Sequence, residues 1–148
     1  MKTHEPQTAR FEERVRESFA RQRLMQTIDA RLTRVAPGEV HIEIPYNVDF
    51  TQQHGYVHAG IVTTIADTAC GYAAYSLMPE DADVLSVEYK INLLAPALGD
   101  KLVARAAVQR AGRTLTVCAA DVFALRDGEE KIVATMLATI MAIRGRAL

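Results

Sequence analysis

Between Gly60 and Ser76 the chain runs for seventeen residues with a single charge, Asp67. A helix of that composition has no polar face on which to lie in water, so the rest of the chain must be built around it. Val62, Ile65, Ala66, Ala69, Ala73 and Leu77 recur at helical spacing, which predicts a helix from about Gly60 to Leu77, with Pro79 beyond its end. The small residues Ala66, Ala69, Gly71, Ala73 and Ala74 let a sheet approach that helix closely on several sides.

The flanking segments supply the sheet. From Ile28 onward the apolar period becomes two. Leu32–Ala36, a turn at Pro37-Gly38 and Val40, Ile42 and Ile44 alternating with polar neighbours predict a hairpin, which Pro45 helps to stop. Beyond the helix, four strands are expected at about Val84–Leu94, Lys101–Arg110, Thr114–Leu125 and Ile132–Ile143. Turns at Gly99-Asp100, Ala111-Gly112-Arg113 and Asp127-Gly128 separate them. Ahead of all this, Arg10–Gln26 reads as an amphipathic helix with Phe11, Val15, Phe19 and Leu24 or Met25 on one side. Six strands and one central helix make an α+β arrangement, an antiparallel sheet wrapped around the helix, with its core at about residues 28–143. Such a sheet keeps an exposed edge strand, which predicts a homo-oligomer that continues the sheet across an interface.

A chain of 148 residues is enough for one domain with a real core, residues 1–148, and too short for two. A net charge of −1 gives no basic footprint for nucleic acid or an anionic membrane. No apolar run approaches the roughly 18 residues of a membrane span, and no signal-peptide pattern opens the chain, so a cytoplasmic protein is expected. Cys70 and Cys118 lie within apolar segments and read as buried free thiols. His54 and His58 are the one Cys/His pair with ligand spacing, and no carboxylate or cysteine at a matching spacing completes a set. No metal and no cofactor are expected.

Asp67 shares its helical face with Thr63, Thr64, Cys70, Gly71 and Ala74, all small, and with no Lys or Arg to pair with. A mid-helix aspartate is commonly a solvated surface residue, yet a surface face would carry long charged chains. This acid is therefore either buried against a partner or facing a cleft. The helix opens at Ala59-Gly60, where the first backbone N–H groups form a positive dipole end able to polarise a carbonyl. His58 and Gln52, in the loop just before, could orient a substrate carbonyl or a water, and His58 could equally be a helix cap or a core histidine. No G-x-S-x-G elbow and no phosphate loop is present. A carboxylate nucleophile or base beside main-chain donors suits hydrolysis of an activated acyl group such as a thioester.

The run "HGYVHAGIVTTIADTACGYAA", with "LSVEYKINLLAPALGDKL" and "RAGRTL" further on, resembles the hotdog-fold acyl-CoA thioesterases of the phenylacetate-pathway (PaaI-like) branch, over about residues 15–143. The resemblance implies that Asp67 is the catalytic carboxylate, as nucleophile or general base. It implies that His58 is the motif histidine, that the Ala59 N–H polarises the carbonyl, and that Gln52 stands where an asparagine positions the water. Ser86 matches a strand serine or threonine that holds the water or the acid, and Gly60 and Val87 are expected to contact substrate. Two departures stand out: Ala59 replaces the first glycine of His-Gly-Gly, and Gln52 is one methylene longer than asparagine. The implied partner is an acyl-CoA, in a homodimer or dimer of dimers whose loop and helix acid meet across the interface, with Arg110 and Arg113 as candidates for the CoA phosphates. The alternative is a non-catalytic acyl-CoA-binding or sensing module on the same fold. A hydratase would need a Gly-Asp-x-Asn-Pro-x-His-like loop, which is absent.

Overall fold

The computed structural model describes residues 3–145. In chain order the elements are α1 (Phe11–Arg21), α2 (Arg23–Thr27), β1 (Arg31–Ala36), β2 (Glu39–Pro45), a 3-10 turn at Val48–Phe50, α3 (Ala59–Tyr75), β3 (Ala82–Leu93), β4 (Lys101–Arg110), β5 (Leu115–Arg126) and β6 (Glu129–Arg144). The six strands form one antiparallel sheet in the order β1-β2-β4-β5-β6-β3, with β3 at one edge. The predicted hairpin, central helix and four later strands are all present, with ends displaced by up to three residues. α3 packs against β2, β3, β4, β5 and β6, as a helix wrapped by a curved sheet must.

Alternation along the strands decides which face meets the helix. Val40, Ile42 and Ile44 of β2, Leu102, Ala104 and Ala106 of β4, Cys118, Ala120 and Val122 of β5 and Met136, Ala138 and Ile140 of β6 are all buried. They meet Val62, Ile65, Ala66, Ala69 and Ala73 of α3 in one core. Alanines on both surfaces bring the helix close to the sheet, so interior volume is filled by backbone proximity as much as by large side chains. Burial pushes the Cys118 thiol up to about 12 and raises that of Cys70 further.

The N-terminal helix differs from the expectation of one segment over residues 10–26. It breaks at Gln22, whose ψ of 101° is extended backbone. Val15 and Met25 are both almost fully buried. Ten residues apart, they would sit about 80° apart around one straight helix, so the break lets both face the core. Arg14 on α1 is buried too. Its guanidinium donates to the carbonyls of Met78, Pro79 and Ala82 at 3.0, 3.1 and 3.2 Å and stacks 4.5 Å above the Tyr75 ring. Those bonds fasten α1 to the segment that leaves α3 and enters β3.

Edge strand β3 stays largely uncovered, with Leu85, Val87, Tyr89 and Leu93 each 40–55% exposed. A β-bulge between Ser86 and Glu88 interrupts its pairing with β6 at Val87. No helix among the described residues is long and apolar enough to cross a membrane.

Candidate active site

Asp67 lies in the middle of α3, on the side turned to the edge strand. Ser86, immediately before the bulge, donates a hydrogen bond from Oγ to Asp67 Oδ1 at 2.7 Å. Ser86 pairs with Ile140 and so shares the inward register of its strand, which aims its hydroxyl at the helix. The remaining carboxylate oxygen has no partner, and no Lys, Arg or His pairs with the acid among the described residues. The hydroxyls of Thr63 and Thr64 bond back to the carbonyls of Ala59 and Gly60, both at 2.8 Å, and leave Asp67 alone. Cys70 and Ala74, expected on the same face, turn instead into the core.

Two cavities meet at Asp67. One, of about 530 Å³, is walled by Thr68, Gly71 and Tyr72 of α3, Asp83 to Ser86 of β3 and Ser18, Arg21 and Gln22 at the end of α1. The second, of about 420 Å³, runs past Gly60, Thr63 and Thr64 beneath Tyr89 and Ile91 of β3. Ser18, Arg21, Gln22 and Asp83 carried no signal in the sequence. They come from elements remote in the chain; the Arg14 contacts, the burial of Val15 and the edge-on packing of Phe19 against Tyr72 bring α1 there. Ser18 and Tyr72 hydroxyls lie 3.2 Å apart at the wall, and burial raises the Tyr72 phenol above its usual range.

The loop before α3 forms a separate group. His58 is the helix cap: its Nδ1 accepts the Gly60 N–H at 2.8 Å, which places the ring proton on Nε2. Its carbonyl takes the N–H groups of Ile61 and Val62. Of the amides that open the helix, that of Ala59 alone lacks an acceptor among the described residues, a narrower set than the sequence suggested. Ala59 is ordinary helix, so the side chain that replaces glycine there brings no torsional strain. Gln52 turns its side-chain oxygen back onto the His54 N–H, closing a local turn and leaving its NH₂ free to donate. Gln52 and Ala59 line a third cavity, of about 430 Å³, with Tyr56, Val62, Leu93 and Leu94.

One chain therefore brings Asp67, Ser86 and Gly60 to connected cavities and places Gln52 and Ala59 around another. Val87 projects from the bulge, 48% exposed. Arg110 ends β4 and Arg113 lies in the following turn, both exposed, without ion pairs among the described residues and away from all three cavities. No cluster of three or more His, Cys, Asp or Glu that could hold a metal ion occurs among the described residues.

Residues 54–131, just over half of the chain, match the family profile of the Thioesterase superfamily. A crystal structure of a thioesterase family protein from Silicibacter pomeroyi is 54% identical, covers 91% of this chain and 99% of its own, and superposes with a TM-score of 0.90. The PaaI protein from the phenylacetic acid degradation operon of E. coli shares the fold at 20% identity, covering 92% of this chain and 95% of its own, with a TM-score of 0.82. A candidate esterase from Halobacterium salinarum is 35% identical over 64% of this chain and 65% of its own length. A second, from Saccharolobus solfataricus, is 32% identical over 64% and 66%. The chain thus matches just under two thirds of the length of these curated relatives.

Proposed function

The chain belongs to the thioesterase superfamily, and from that premise we propose that it is an acyl-CoA thioesterase, releasing a free acid and CoA with Asp67 as the reacting carboxylate. The observation that carries this reading is the Asp67–Ser86 pair: an acid without a cationic partner among the described residues, held by a 2.7 Å hydrogen bond where two cavities meet. The bond fixes Oδ1 and leaves the other oxygen for chemistry. That oxygen either attacks the thioester carbonyl, forming an anhydride and expelling the CoA thiolate, after which water cleaves the anhydride to the free acid and restores the carboxylate, or takes a proton from a water that attacks the carbonyl in its place and expels the same thiolate. In both routes negative charge develops on the carbonyl oxygen, which needs a preorganised donor. The Ala59 N–H, without an acceptor among the described residues and at the positive end of α3, is suited to that task, with His58 holding the turn and Gln52 offering an NH₂ to orient the water.

The separation of Asp67 from Gln52 and Ala59 within one chain supports a shared site, in which the loop of one protomer faces the acid of another. Edge strand β3, exposed and carrying Ser86, is the surface through which such a homodimer, or a dimer of dimers, would continue the sheet. Gly60 and Val87 then flank the substrate, and Arg110 and Arg113 are the candidate phosphate contacts. The absence of a long apolar helix among the described residues is compatible with work in the cytoplasm.

The test is a panel of acyl-CoAs incubated with the protein and a thiol reagent. Release of free CoA is expected. Tight binding without release would turn the assignment to a non-catalytic acyl-CoA-binding or sensing module. Sedimentation of a stable monomer at micromolar concentration would remove the shared site.

A further inference from the structure

The two cavities at Asp67 leave it in opposite directions along α3. One runs back toward the start of the helix past Thr64, Thr63 and Gly60, and the other runs forward past Thr68, Gly71 and Tyr72. A thioester also has two arms that diverge from its reacting carbonyl, the acyl group and the thiol portion. Gln22, at the break between α1 and α2, borders both branches.

The forward branch is the larger, about 530 Å³ against about 420 Å³, and α1 bounds it through Ser18, Arg21 and Gln22. Gly71 lies on its helical wall, one turn beyond Asp67 on the same face. A glycine inside a helix lowers stability relative to alanine, so its presence calls for a cause. Backbone torsion is not that cause, because Gly71 is not among the glycines of positive φ. Crowding is not the cause either: a Cβ at Gly71 would meet nothing within 4 Å, whereas at Gly99 and Gly112 it would strike the carbonyl oxygens of Leu125 and Leu115. What the missing side chain leaves is open volume in the cavity beside the acid.

Resting on the thioester-hydrolase reading above, we propose that the forward branch takes the acyl group and that Gly71 sets its width, so that the enzyme selects acyl groups well beyond acetyl in size. The backward branch then holds the thiol arm.

The experiment compares acetyl-CoA with hexanoyl-CoA for the parent protein and for Gly71→Ala and Gly71→Val. The parent is expected to favour hexanoyl-CoA. Valine is expected to lower kcat/KM for hexanoyl-CoA at least about tenfold more than for acetyl-CoA, the scale on which a misfitting apolar group is rejected. Alanine, the milder change, is expected to raise the melting temperature by a few degrees while shifting selectivity the same way. Equal losses on both thioesters, or unchanged selectivity in both variants, would overturn the assignment of Gly71. If the parent releases no CoA from either ester, the hydrolase reading fails by itself. Titration calorimetry with the two intact esters then decides the width proposal: it stands if Gly71→Val weakens hexanoyl-CoA selectively and falls if the two affinities move together.

Discussion

Replacing Asp67 with asparagine exchanges one carboxylate oxygen for an NH₂ group and leaves the outline of both cavities unchanged. The amide can neither attack a carbonyl carbon nor take a proton from water. General-base catalysis contributes typically about 10²–10⁴-fold, which is about 3–5 kcal/mol of activation free energy at 1.36 kcal/mol per decade. A fall in kcat of at least about 10²-fold is therefore expected, with binding of the CoA ester retained. The structural cost is small and can be worked separately. Among the described residues Asp67 makes one side-chain bond, from Ser86, so the change weakens a hydrogen bond to a charged group into one between neutral groups, a difference of about 1 kcal/mol. For a chain of this size that lowers the melting temperature by only about 2–4 °C. Turnover is followed by thiol detection of released CoA, stability by thermal unfolding of the same preparation. Near-full turnover would refute the chemical role, and a melting temperature lower by ten degrees or more would make the acid a structural element.

Ala59→Pro tests the polarising amide. Proline suits the first position of a helix, and the φ of −57° and ψ of 138° at His58 are compatible with a following proline, so folding should survive while the donor is lost. A drop in kcat of about 10²–10³-fold is expected, and unchanged kcat would reject the Ala59 N–H. Replacing Arg110 and Arg113 together with alanine should raise KM for acyl-CoA far more than it lowers kcat, and an unchanged KM would reject them as the phosphate contacts. Cys118 should resist thiol reagents in the folded protein and react once it unfolds. Its thiol keeps the proton up to about 12 when folded, whereas the unfolded thiol loses it near the ordinary value of 9.0. Between those values the unfolded chain binds fewer protons, so stability should fall as pH rises through that window and stay insensitive to this group at neutral pH; denaturant titrations from pH 7 to 10 check the sign.

The elements with a strict period were legible in the sequence. Val40, Ile42 and Ile44 could only be one face of a strand, and a seventeen-residue segment with a single charge could only be a buried helix. The acid was legible for the same reason, since one charge among small apolar residues has few explanations. Ser86 was reached through the resemblance alone: nothing in "LSVEYK" separates it from any other strand serine, and its contact with Asp67 depends on how β3 lies against α3. The break at Gln22 has no glycine or proline to announce it, because its cause is the joint burial of Val15 and Met25 against elements far along the chain. The wall that α1 builds beside Asp67 was hidden for a related reason. Arg14 reads as one more charge on an amphipathic helix, and only its three carbonyl acceptors reveal it as a fastening.

That fastening constrains the order in which the molecule assembles. The acceptors of Arg14 lie 64 to 68 residues further along the chain, so α1 is synthesised well before anything exists for it to hold. As a short isolated helix it is at best marginally formed in water. Closing so long a loop costs entropy before the contact returns anything. Docking of α1 therefore follows the packing of α3 and the entry to β3, and the cavity wall beside Asp67 is completed only after the helix that bears the acid is already in place.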